Sequence, residues 1–507
     1  MFRKILIANR GEIAVRVIRT CRRLGISPVA VFSEADRHAL HVRMADAALA
    51  IGPAPAARSY LNIEAVLSAA RQSGAEAIHP GYGFLAENPE FARACSDAGI
   101  VFIGPDASAM RKLGNKVAAR KRMAAAGVPV VPGLSGSRLT VSRIRDWAKR
   151  AGYPVLLKAA AGGGGRGMRI VRSPEELADA FAAARSEALS AFGDGTVFAE
   201  RYLEESRHIE VQVLMDRQGR GVSLGERECS IQRRHQKLVE ETPSPVVDER
   251  IRRRLGSYAL KACRAARYLN AGTVEFIRDA RGRFYFLEIN ARLQVEHPIT
   301  EAVTGVDLVE SQIRIAAGAP LDLPSRPLRP RGWALECRIQ AEDPAQDFRP
   351  SPGKILLYRP SSGPGVRVDS GVTEGDEVSL HYDSLLAKLI ASGRNREEAI
   401  GRMAQALSEF RIAGIPTTLA FHRRVMGDPA FRTGGIDTGY VRRLLAQPER
   451  EPEAEAQAAA LVAAAHLRTT AAGRRSLEAA AAPDFRLRAG RGTGWERGFP
   501  RDPWRLG

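Results

Sequence analysis

The sequence predicts an α/β protein whose first part, up to about Gly114, forms a doubly wound parallel sheet. Short apolar stretches at 4–8, 28–32, 76–79 and 100–103 alternate with helical ones, the first of them at 11–24. Such alternation is typical of parallel sheets, whose ligand-binding loops follow the carboxyl ends of the strands. The first turn contains a lone glycine, so a nicotinamide-binding domain is not predicted. The 507 residues are enough for about three domains of typical size.

The rest of the chain is predicted as a mixture of helices and strands. The polar segment 227–241 is interpreted as a loop, the proline-rich residues 320–331 as a linker, and residues 446–507 as a frayed helix with disorder or the remnant of a longer linker. The periodicity predicts further helices and strands. They are helices at 115–127, 174–190, from about 248 and at 395–445, and strands at 154–158, 168–171, 196–200, 209–215, around 275 and 288, and at 333–340.

Composition excludes several classes of protein. The sequence has no run of about 18 apolar residues and no apolar signal core, so we expect a cytoplasmic protein without a membrane span. The five cysteines are far apart and form no Cys-x-x-Cys pair, which argues against a zinc site or a disulfide framework. The net charge of +19 is dispersed among acidic residues, so small anionic substrates explain it as well as nucleic acid does, and nucleic acid is not expected.

Residues 288–296 alternate between polar and apolar side chains, which predicts an extended strand with two different faces. A strand with one solvated face is the commoner case for such a pattern. However, this polar face mixes carboxylates and amides with a guanidinium, which suggests a cleft that binds a cation and an anion. The polar face consists of Glu288, Asn290, Arg292, Gln294 and Glu296.

A glycine-rich segment, GGGGRG at 162–167, lies between two predicted strands. It contains GxGxxG, but the helix that a dinucleotide site needs does not follow, and Met168 and Arg169 stand where a P-loop needs Lys and Ser or Thr. A flexible hairpin turn is the alternative to a flap whose backbone amides cover phosphates, and the flap is favoured. Lys116 and Lys158 could each be an ordinary surface lysine or a lysine that binds phosphate. The apolar strand before Lys158 favours phosphate binding for that residue.

Glu275 is a carboxylate inside an apolar predicted strand, where an unpartnered charge would be costly. Together with Glu288 and Asn290 on a neighbouring strand, it offers three hard oxygen ligands. Such a set suits Mg²⁺ that bridges nucleotide phosphates.

Six long motifs resemble those of one family and occur in the same order. They are KILIANRGE at 4–12, HPGYGFLAEN at 79–88, KAAAGGGGRGMR at 158–169, ERECSIQRRHQKLVEE at 226–241, FLEINARLQVEHPITE at 286–301 and ALECRIQAEDP at 334–344. Over residues 1 to about 445 the chain resembles the biotin carboxylase component of biotin-dependent carboxylases, in the ATP-grasp superfamily. The resemblance implies an N-terminal pre-ATP-grasp, Rossmann-like domain (1–114), an ATP-grasp domain (115–320) with a mobile flap subdomain (about 131–204), a C-terminal α/β biotin carboxylase domain (331–445) and a tail (446–507).

The resemblance also implies which residues form the site. ATP would be surrounded by Lys116, Lys158, Gly163, Gly164, Gly165, Glu200, Leu203, His208, Gln232 and His235. The metal, Mg²⁺ with Mn²⁺ as an alternative, would be bound by Glu275, Glu288 and Asn290. Bicarbonate would meet Lys237, Arg292, Gln294, Val295 and Glu296, and Arg338 would face the ureido oxygen of biotin. Lys237, Arg292, Glu296 and Arg338 are the expected catalytic residues. Arg201 departs from the pattern, since many members have Lys there.

The implied reaction is the ATP-dependent carboxylation of biotin by bicarbonate through carboxyphosphate, as the first half-reaction of an acetyl-CoA or other acyl-CoA carboxylase. None of the eight methionines precedes a lysine, so the biotin carrier and the carboxyltransferase are expected on separate chains, and a homodimer is expected from the family. One alternative is another ATP-grasp enzyme that activates a different carboxylate. A second is a catalytically idle protein that scaffolds other subunits or binds nucleic acid through its charge, which the retained metal ligands argue against.

Overall fold

The computed structural model describes residues 1–136, 139–160, 168–324 and 328–447. The predicted tail at 446–507 therefore lies almost entirely outside the described residues, and so do Gly163, Gly164 and Gly165 of the predicted flap. Within the described residues, no helix is both long enough and apolar enough to cross a membrane.

The first 114 residues form a parallel sheet with helices between its strands. The five strands lie in the order β3-β2-β1-β4-β5 and all of their pairings are parallel, as predicted for a doubly wound fold. Strand β3 was not predicted, because its sequence Ala-Ala-Leu-Ala lacks the β-branched and aromatic residues that favour strands. The elements are β1 (Lys4–Ile7), α1 (Gly11–Arg23), β2 (Ser27–Phe32), α2 (Leu40–Met44), β3 (Ala47–Ala50), α3 (Ile63–Ser73), β4 (Ala77–His79), α4 (Pro89–Asp97), β5 (Val101–Phe102) and α5 (Ala107–Gly114).

A small antiparallel sheet with its own apolar core follows the next helix. Its strands lie in the order β6-β9-β7-β8, and side chains such as Ile144, Leu157 and Leu177 are buried between the sheet and its helices. The unit brings the strand that contains Lys158 alongside the strand that contains Glu200. The elements are α6 (Lys116–Ala125), β6 (Gly133–Leu134), α7 (Val141–Ala151), β7 (Val155–Ala159), β8 (Arg169–Val171), α8 (Leu177–Phe192) and β9 (Val197–Arg201).

The segment predicted as a loop at 227–241 is a long antiparallel hairpin, so that prediction was wrong. Arg234 and His235, both with positive φ, form the turn between its two strands. The polar side chains misled the interpretation because most of them are buried against charged partners rather than solvated. The elements here are β10 (Arg207–Met215), β11 (Gly221–Arg233), β12 (Gln236–Thr242), α9 (Glu249–Ala266), β13 (Asn270–Arg278), β14 (Phe284–Asn290), α10 (His297–Thr304) and α11 (Leu308–Ala316).

The last part of the described chain mixes short strands with helices around a central long strand, β22. No strand was predicted there, although the apolar residues of β22 are buried along most of its length. Its elements are β15 (Trp333–Gln340), β16 (Glu342–Asp343), β17 (Arg349–Pro350), β18 (Gly353–Lys354), β19 (Leu357–Arg359), β20 (Val366–Ser370), β21 (Glu377–Val378), β22 (Leu385–Gly393), α12 (Arg396–Glu409), β23 (Arg411–Ala413), α13 (Leu419–Gly427), α14 (Pro429–Arg432) and α15 (Tyr440–Leu445). Short 3-10 helices occupy Glu34–Asp36, Ala56–Arg58 and Pro344–Gln346.

The largest of the sheets has eight strands, in the order β14-β13-β10-β11-β12-β15-β22-β20. It combines strands that precede the segment predicted as a linker with strands that follow it. Strand β12, before residues 320–331, pairs with β15 after them, with Val239 opposite Cys337. All neighbouring strands in this sheet are antiparallel. The pairing brings the strand that contains Lys237 next to the strand that contains Arg338, and this geometry positions the candidate site.

Candidate active site

A cleft of about 1160 Å³ lies between the parallel sheet, the small antiparallel sheet and the eight-stranded sheet. Every predicted site residue that the structure describes lines this cleft except Glu296, which is fully buried behind its wall. Three parts of the chain that are far apart in sequence therefore meet around one cavity.

The predicted metal ligands lie together on β13 and β14. Glu275 and Glu288 are direct cross-strand partners, and Asn290 donates from Nδ2 to Oε1 of Glu275 over 2.8 Å. Glu210 on β10 is the partner of Glu275 on its other side, so three carboxylates form a row across the sheet. Like charges directly opposite one another are destabilising, so this row requires cations nearby.

Lys237 supplies one of these cations. Its Nζ atom lies 2.6 Å from Oε2 of Glu210, 3.1 Å from Oε1 of Glu275 and 2.6 Å from Oε1 of Glu296. Burial would lower the pKa of Lys237, but these three carboxylates outweigh it and raise the pKa well above its usual value. Arg227, fully buried, donates from Nε to the other oxygen of Glu210 over 2.5 Å.

Glu275 is the most heavily contacted of the three carboxylates in the row. Besides Lys237 and Asn290, it has Nε2 of His208 at 3.1 Å from its Oε2 atom. Burial would raise the pKa of Glu275, but Lys237 and then His208 outweigh burial and hold the pKa far below its usual range. Glu275 is therefore ionised, as its predicted role as a metal ligand requires.

The predicted extended strand over 288–296 is wrong beyond Asn290. Strand β14 ends there, residues 291–296 form an irregular turn, and α10 begins at His297 with Pro298 in its first turn. The backbone amide of Ala291 donates to Oε1 of Glu87 over 2.8 Å instead of continuing the strand. Glu296 therefore reaches the cleft wall from the residue that precedes a helix, and not by alternation along a strand.

Glu296 lies between two cations. Its Oε1 atom accepts from Lys237, and its Oε2 atom accepts from Nη2 of Arg338 over 2.9 Å. Burial would raise the pKa of Glu296, but Lys237, then Arg338 and Arg227, hold it well below the usual value. Arg338 also donates from Nε to Oε1 of Glu240 over 2.7 Å, which fixes its guanidinium in place.

Arg292 projects from the turn and is held by three neighbours. Its Nε atom lies 3.0 Å from Oε2 of Glu87, Nη1 donates to Oε1 of Gln294 over 3.0 Å, and Nη2 donates to Oδ1 of Asn290 over 3.2 Å. The guanidinium therefore connects the proposed metal ligands to the turn that contains Gln294 and Val295.

The proposed nucleotide residues lie along the other side of the cleft. Lys116 approaches Oε2 of Glu288 at 3.4 Å, and Lys158 forms an ion pair with Glu200, which also accepts from Nη1 of Arg120 over 2.7 Å. The remaining members, Leu203, His208, Gln232 and His235, also line this cleft.

Sequence reasoning missed three charged residues of the site: Glu87, Glu210 and Arg227. The sequence contained a signal for Glu87, because this residue lies in the loop after the carboxyl end of β4. The loops at that end of a parallel sheet usually bind the ligand. Glu210 is a carboxylate in the apolar pattern of β10, the same signal that identified Glu275. Arg227 was hidden inside the segment interpreted as a loop.

Comparison with known proteins identifies relatives of each part of the chain. Three family models match: "Biotin carboxylase, N-terminal domain" at residues 1–110, "Carbamoyl-phosphate synthase L chain, ATP binding domain" at 115–324 and "Biotin carboxylase C-terminal domain" at 336–443. Biotin carboxylase 1 of Bacillus subtilis is 52% identical over 442 residues, covering 87% of this chain and 98% of the relative. One pyruvate carboxylase subunit of Methanothermobacter thermautotrophicus is 53% identical over 441 residues, covering 87% of this chain and 90% of that protein.

A solved structure shares the fold closely. The biotin carboxylase domain dimer of Hydrogenobacter thermophilus 2-oxoglutarate carboxylase, in complex with MgADP, ADP and bicarbonate, is 48% identical with a TM-score of 0.84, covering 89% of this chain and 100% of that chain. The family models together span the three parts of the chain that surround the cleft. The chain belongs to the biotin carboxylase family of ATP-grasp enzymes, which carboxylate biotin in an ATP-dependent reaction.

Proposed function

We propose that the cleft residues divide the biotin carboxylase reaction among three adjoining groups: metal ligands, a bicarbonate turn and a biotin-facing arginine. The observation that carries this proposal is one continuous chain of contacts, from Glu275 through Lys237 and Glu296 to Arg338. It connects the place where the nucleotide phosphates are activated to the place where biotin accepts the carboxyl group.

The donor set on β13 and β14 fits Mg²⁺. Two carboxylates and an amide oxygen are the hard ligands that this ion prefers, and Glu275 already contacts the basic side chains of Lys237 and His208. Glu275, Glu288 and Asn290 would hold Mg²⁺, which would supply positive charge to neutralise the charge that develops on the phosphates of ATP. Lys116 and Lys158 would contribute further positive charge on the nucleotide side of the cleft.

Arg292 binds bicarbonate and Glu296 accepts its proton in this proposal. Since Lys237 and Arg338 keep Glu296 ionised, its carboxylate is ready to act as a general base. The bicarbonate oxygen then attacks the γ-phosphorus, the bond to the bridging oxygen breaks, and ADP leaves with that oxygen. Gln294 and the backbone of Val295 complete the contacts to bicarbonate.

Arg338 serves the second step. Carboxyphosphate breaks down to carbon dioxide and phosphate, and the phosphate removes the proton from the ureido nitrogen of biotin. The guanidinium of Arg338 stabilises the negative charge on the ureido oxygen while the nitrogen attacks carbon dioxide. The fixed position of Arg338 between Glu240 and Glu296 prepares it for this role.

The biotin substrate would be attached to a carrier protein on a separate chain, and the carboxyl group would pass to a carboxyltransferase that acts on acetyl-CoA or another acyl-CoA. We also propose that the chain forms a homodimer, as the Hydrogenobacter relative does, and acts in the cytoplasm. In this proposal the transferase, and not this chain, selects the acceptor. This is consistent with the sequence identity of this chain to Bacillus biotin carboxylase 1 and to the Methanothermobacter pyruvate carboxylase subunit, which is nearly equal.

The test measures phosphate release and carboxylation of free biotin by the purified protein with ATP, Mg²⁺ and bicarbonate. Bicarbonate plus biotin should accelerate ATP hydrolysis. The substitutions Glu296→Gln and Arg338→Ala should each reduce biotin carboxylation by about 100-fold or more. Glu377→Gln, at an exposed glutamate of β21, is the matched control. Unchanged carboxylation in both site variants would refute the assigned roles.

A further inference from the structure

Lys388 is a fully buried lysine in the middle of β22, and the reaction described above gives it no role. In the antiparallel pairing of β15 with β22, Lys388 stands directly opposite Arg338. Side chains of directly opposed residues lie on the same face of a sheet. Lys388 and Arg338 therefore project together toward the turn at 291–296.

The two cations hold consecutive residues of that turn. Arg338 contacts the side-chain carboxylate of Glu296, and Lys388 donates from Nζ to the backbone carbonyl of Val295 over 3.0 Å. The preceding carbonyl, that of Gln294, lies 2.8 Å from Nδ1 of His297, a ring that is also fully buried. Two consecutive peptide carbonyls, those of Gln294 and Val295, are thus fixed by buried side chains.

Lys388 is itself held by the amino-terminal part of the chain. Its Nζ atom lies 3.0 Å from Oε2 of Glu12, at the start of α1, and 5.9 Å from the centre of the Tyr82 ring. The hydroxyl of Tyr82 donates to the other oxygen of Glu12. Two distant segments, around residues 12 and 82, therefore meet at the ammonium of Lys388, and Lys388 in turn contacts the carbonyl of Val295.

A buried lysine is costly unless its charge is paired and its protons are accepted. Here one acceptor is a carboxylate and the other is a backbone carbonyl of the very turn that faces the cleft. A methionine would fill a similar volume without either contact, so packing alone does not require a lysine at this position. The arrangement makes the position of Val295 depend on a charge that lies outside the cleft lining.

We propose that Lys388, held by Glu12, is a positioning residue for the bicarbonate turn, fixing the Val295 backbone and the adjoining Glu296 in the geometry that binds and deprotonates bicarbonate. This inference rests on the proposed function of the turn. Lys388 acts through the turn and touches neither nucleotide nor biotin in this proposal. Its loss should therefore affect bicarbonate and leave the nucleotide side of the cleft unchanged.

The experiment compares bicarbonate-dependent ATP hydrolysis in Lys388→Met, Lys388→Arg, the double variant Lys388→Met with Glu12→Gln, and Lys354→Met as an exposed-lysine control. The double variant removes both buried charges, so that no unpaired carboxylate remains to unfold the protein. We expect the KM for bicarbonate to rise about tenfold or more in Lys388→Met and in the double variant, because small displacements of a substrate-binding group are costly. The KM for ATP should change less than about twofold, and Lys388→Arg should recover part of the loss.

The outcomes separate this inference from the proposed function. If the unsubstituted protein shows no bicarbonate-dependent ATP hydrolysis, the proposed function fails. If the unsubstituted protein is active and the folded double variant keeps its KM for bicarbonate, the positioning role is wrong. Equal losses for ATP and bicarbonate, or a double variant that does not fold, would show that the pair serves stability alone and would also overturn the inference.

Discussion

The ammonium of Lys237 lies 2.6 Å from the carboxylate of Glu296 while it also contacts Glu210 and Glu275. One cation thus balances three buried carboxylates that come from three different elements, β10, β13 and the turn before α10. The proposed base and the proposed metal ligand share this cation, so the charge state of one depends on the other.

Replacing Lys237 with Met should therefore strongly reduce both the stability and the activity of the protein. Breaking a buried ion pair from one side leaves an uncompensated charge and costs about 3–5 kcal/mol of the free energy of unfolding. We also expect bicarbonate-dependent ATP hydrolysis to fall by about 100-fold or more, because the bicarbonate site loses a cation. Denaturant unfolding and phosphate release measure the two effects, with Lys261→Met at an exposed position of α9 as the control. A variant of normal stability and activity would show that Lys237 is not the shared cation.

Glu288→Gln should weaken the response to Mg²⁺. Of the two proposed carboxylate ligands, Glu288 is the better one to test, because its contact with Lys116 is longer, at 3.4 Å, and does not involve Lys237. The concentration of Mg²⁺ at half-maximal ATP hydrolysis should rise by about 10–100-fold, and a chelator should abolish activity in the unsubstituted protein. Glu64→Gln, at an exposed helix position, should leave the Mg²⁺ response unchanged. An unaltered Mg²⁺ titration for Glu288→Gln would remove this residue from the metal site.

Glu87→Gln should raise the KM for bicarbonate, but by less than Arg292→Gln does. Glu87 holds Arg292 through Nε over 3.0 Å and also binds the amide of Ala291, so it orients the turn and the guanidinium together. Glutamine has nearly the same shape as glutamate and can still form hydrogen bonds, so we expect the KM for bicarbonate to rise roughly threefold in Glu87→Gln. In Arg292→Gln, which loses the guanidinium itself, we expect the KM to rise roughly 100-fold. Steady-state titrations of bicarbonate at saturating ATP measure both values. An equal or larger effect of Glu87→Gln would indicate that Glu87 contacts the substrate itself.

Three buried histidines should each contribute a loss of stability on acidification below about pH 6.5, the usual histidine pKa. Burial lowers the pKa of each of His41, His79 and His422 to about 4. Between these values each of these histidines binds a proton in the unfolded chain but not in the folded protein, so its contribution to the free energy of unfolding falls with decreasing pH, by up to about 1.4 kcal/mol per pH unit.

Denaturant unfolding between about pH 7 and pH 4.5 tests this linkage. His41→Gln should make the dependence on pH shallower, because glutamine does not titrate there, whereas the exposed His38→Gln should not change it. A slope that is identical in all three proteins would show that His41 does not contribute.

The sequence by itself determined the parallel sheet and the membership of the family, and it led to the proposal of three oxygen ligands on β13 and β14. These features depend on local patterns: strand–helix alternation, carboxylates inside apolar strands and long motifs in a fixed order. They are readable because the residues involved are close together in sequence or repeat with the period of a strand or helix.

Only the tertiary structure decided how these groups are joined. The hairpin of β11 and β12 looked like a loop because Arg227 and its neighbours are polar, and their partners, such as Glu210, lie on other strands. The strand of Lys237 lies beside the strand of Arg338 because β12 pairs with β15, which follows the segment interpreted as a linker, and Lys388 lies opposite Arg338 because β22 pairs with β15. Long-range strand pairing and buried charge compensation leave no periodic trace in the sequence, because each partner is chosen by the fold rather than by its neighbours along the chain.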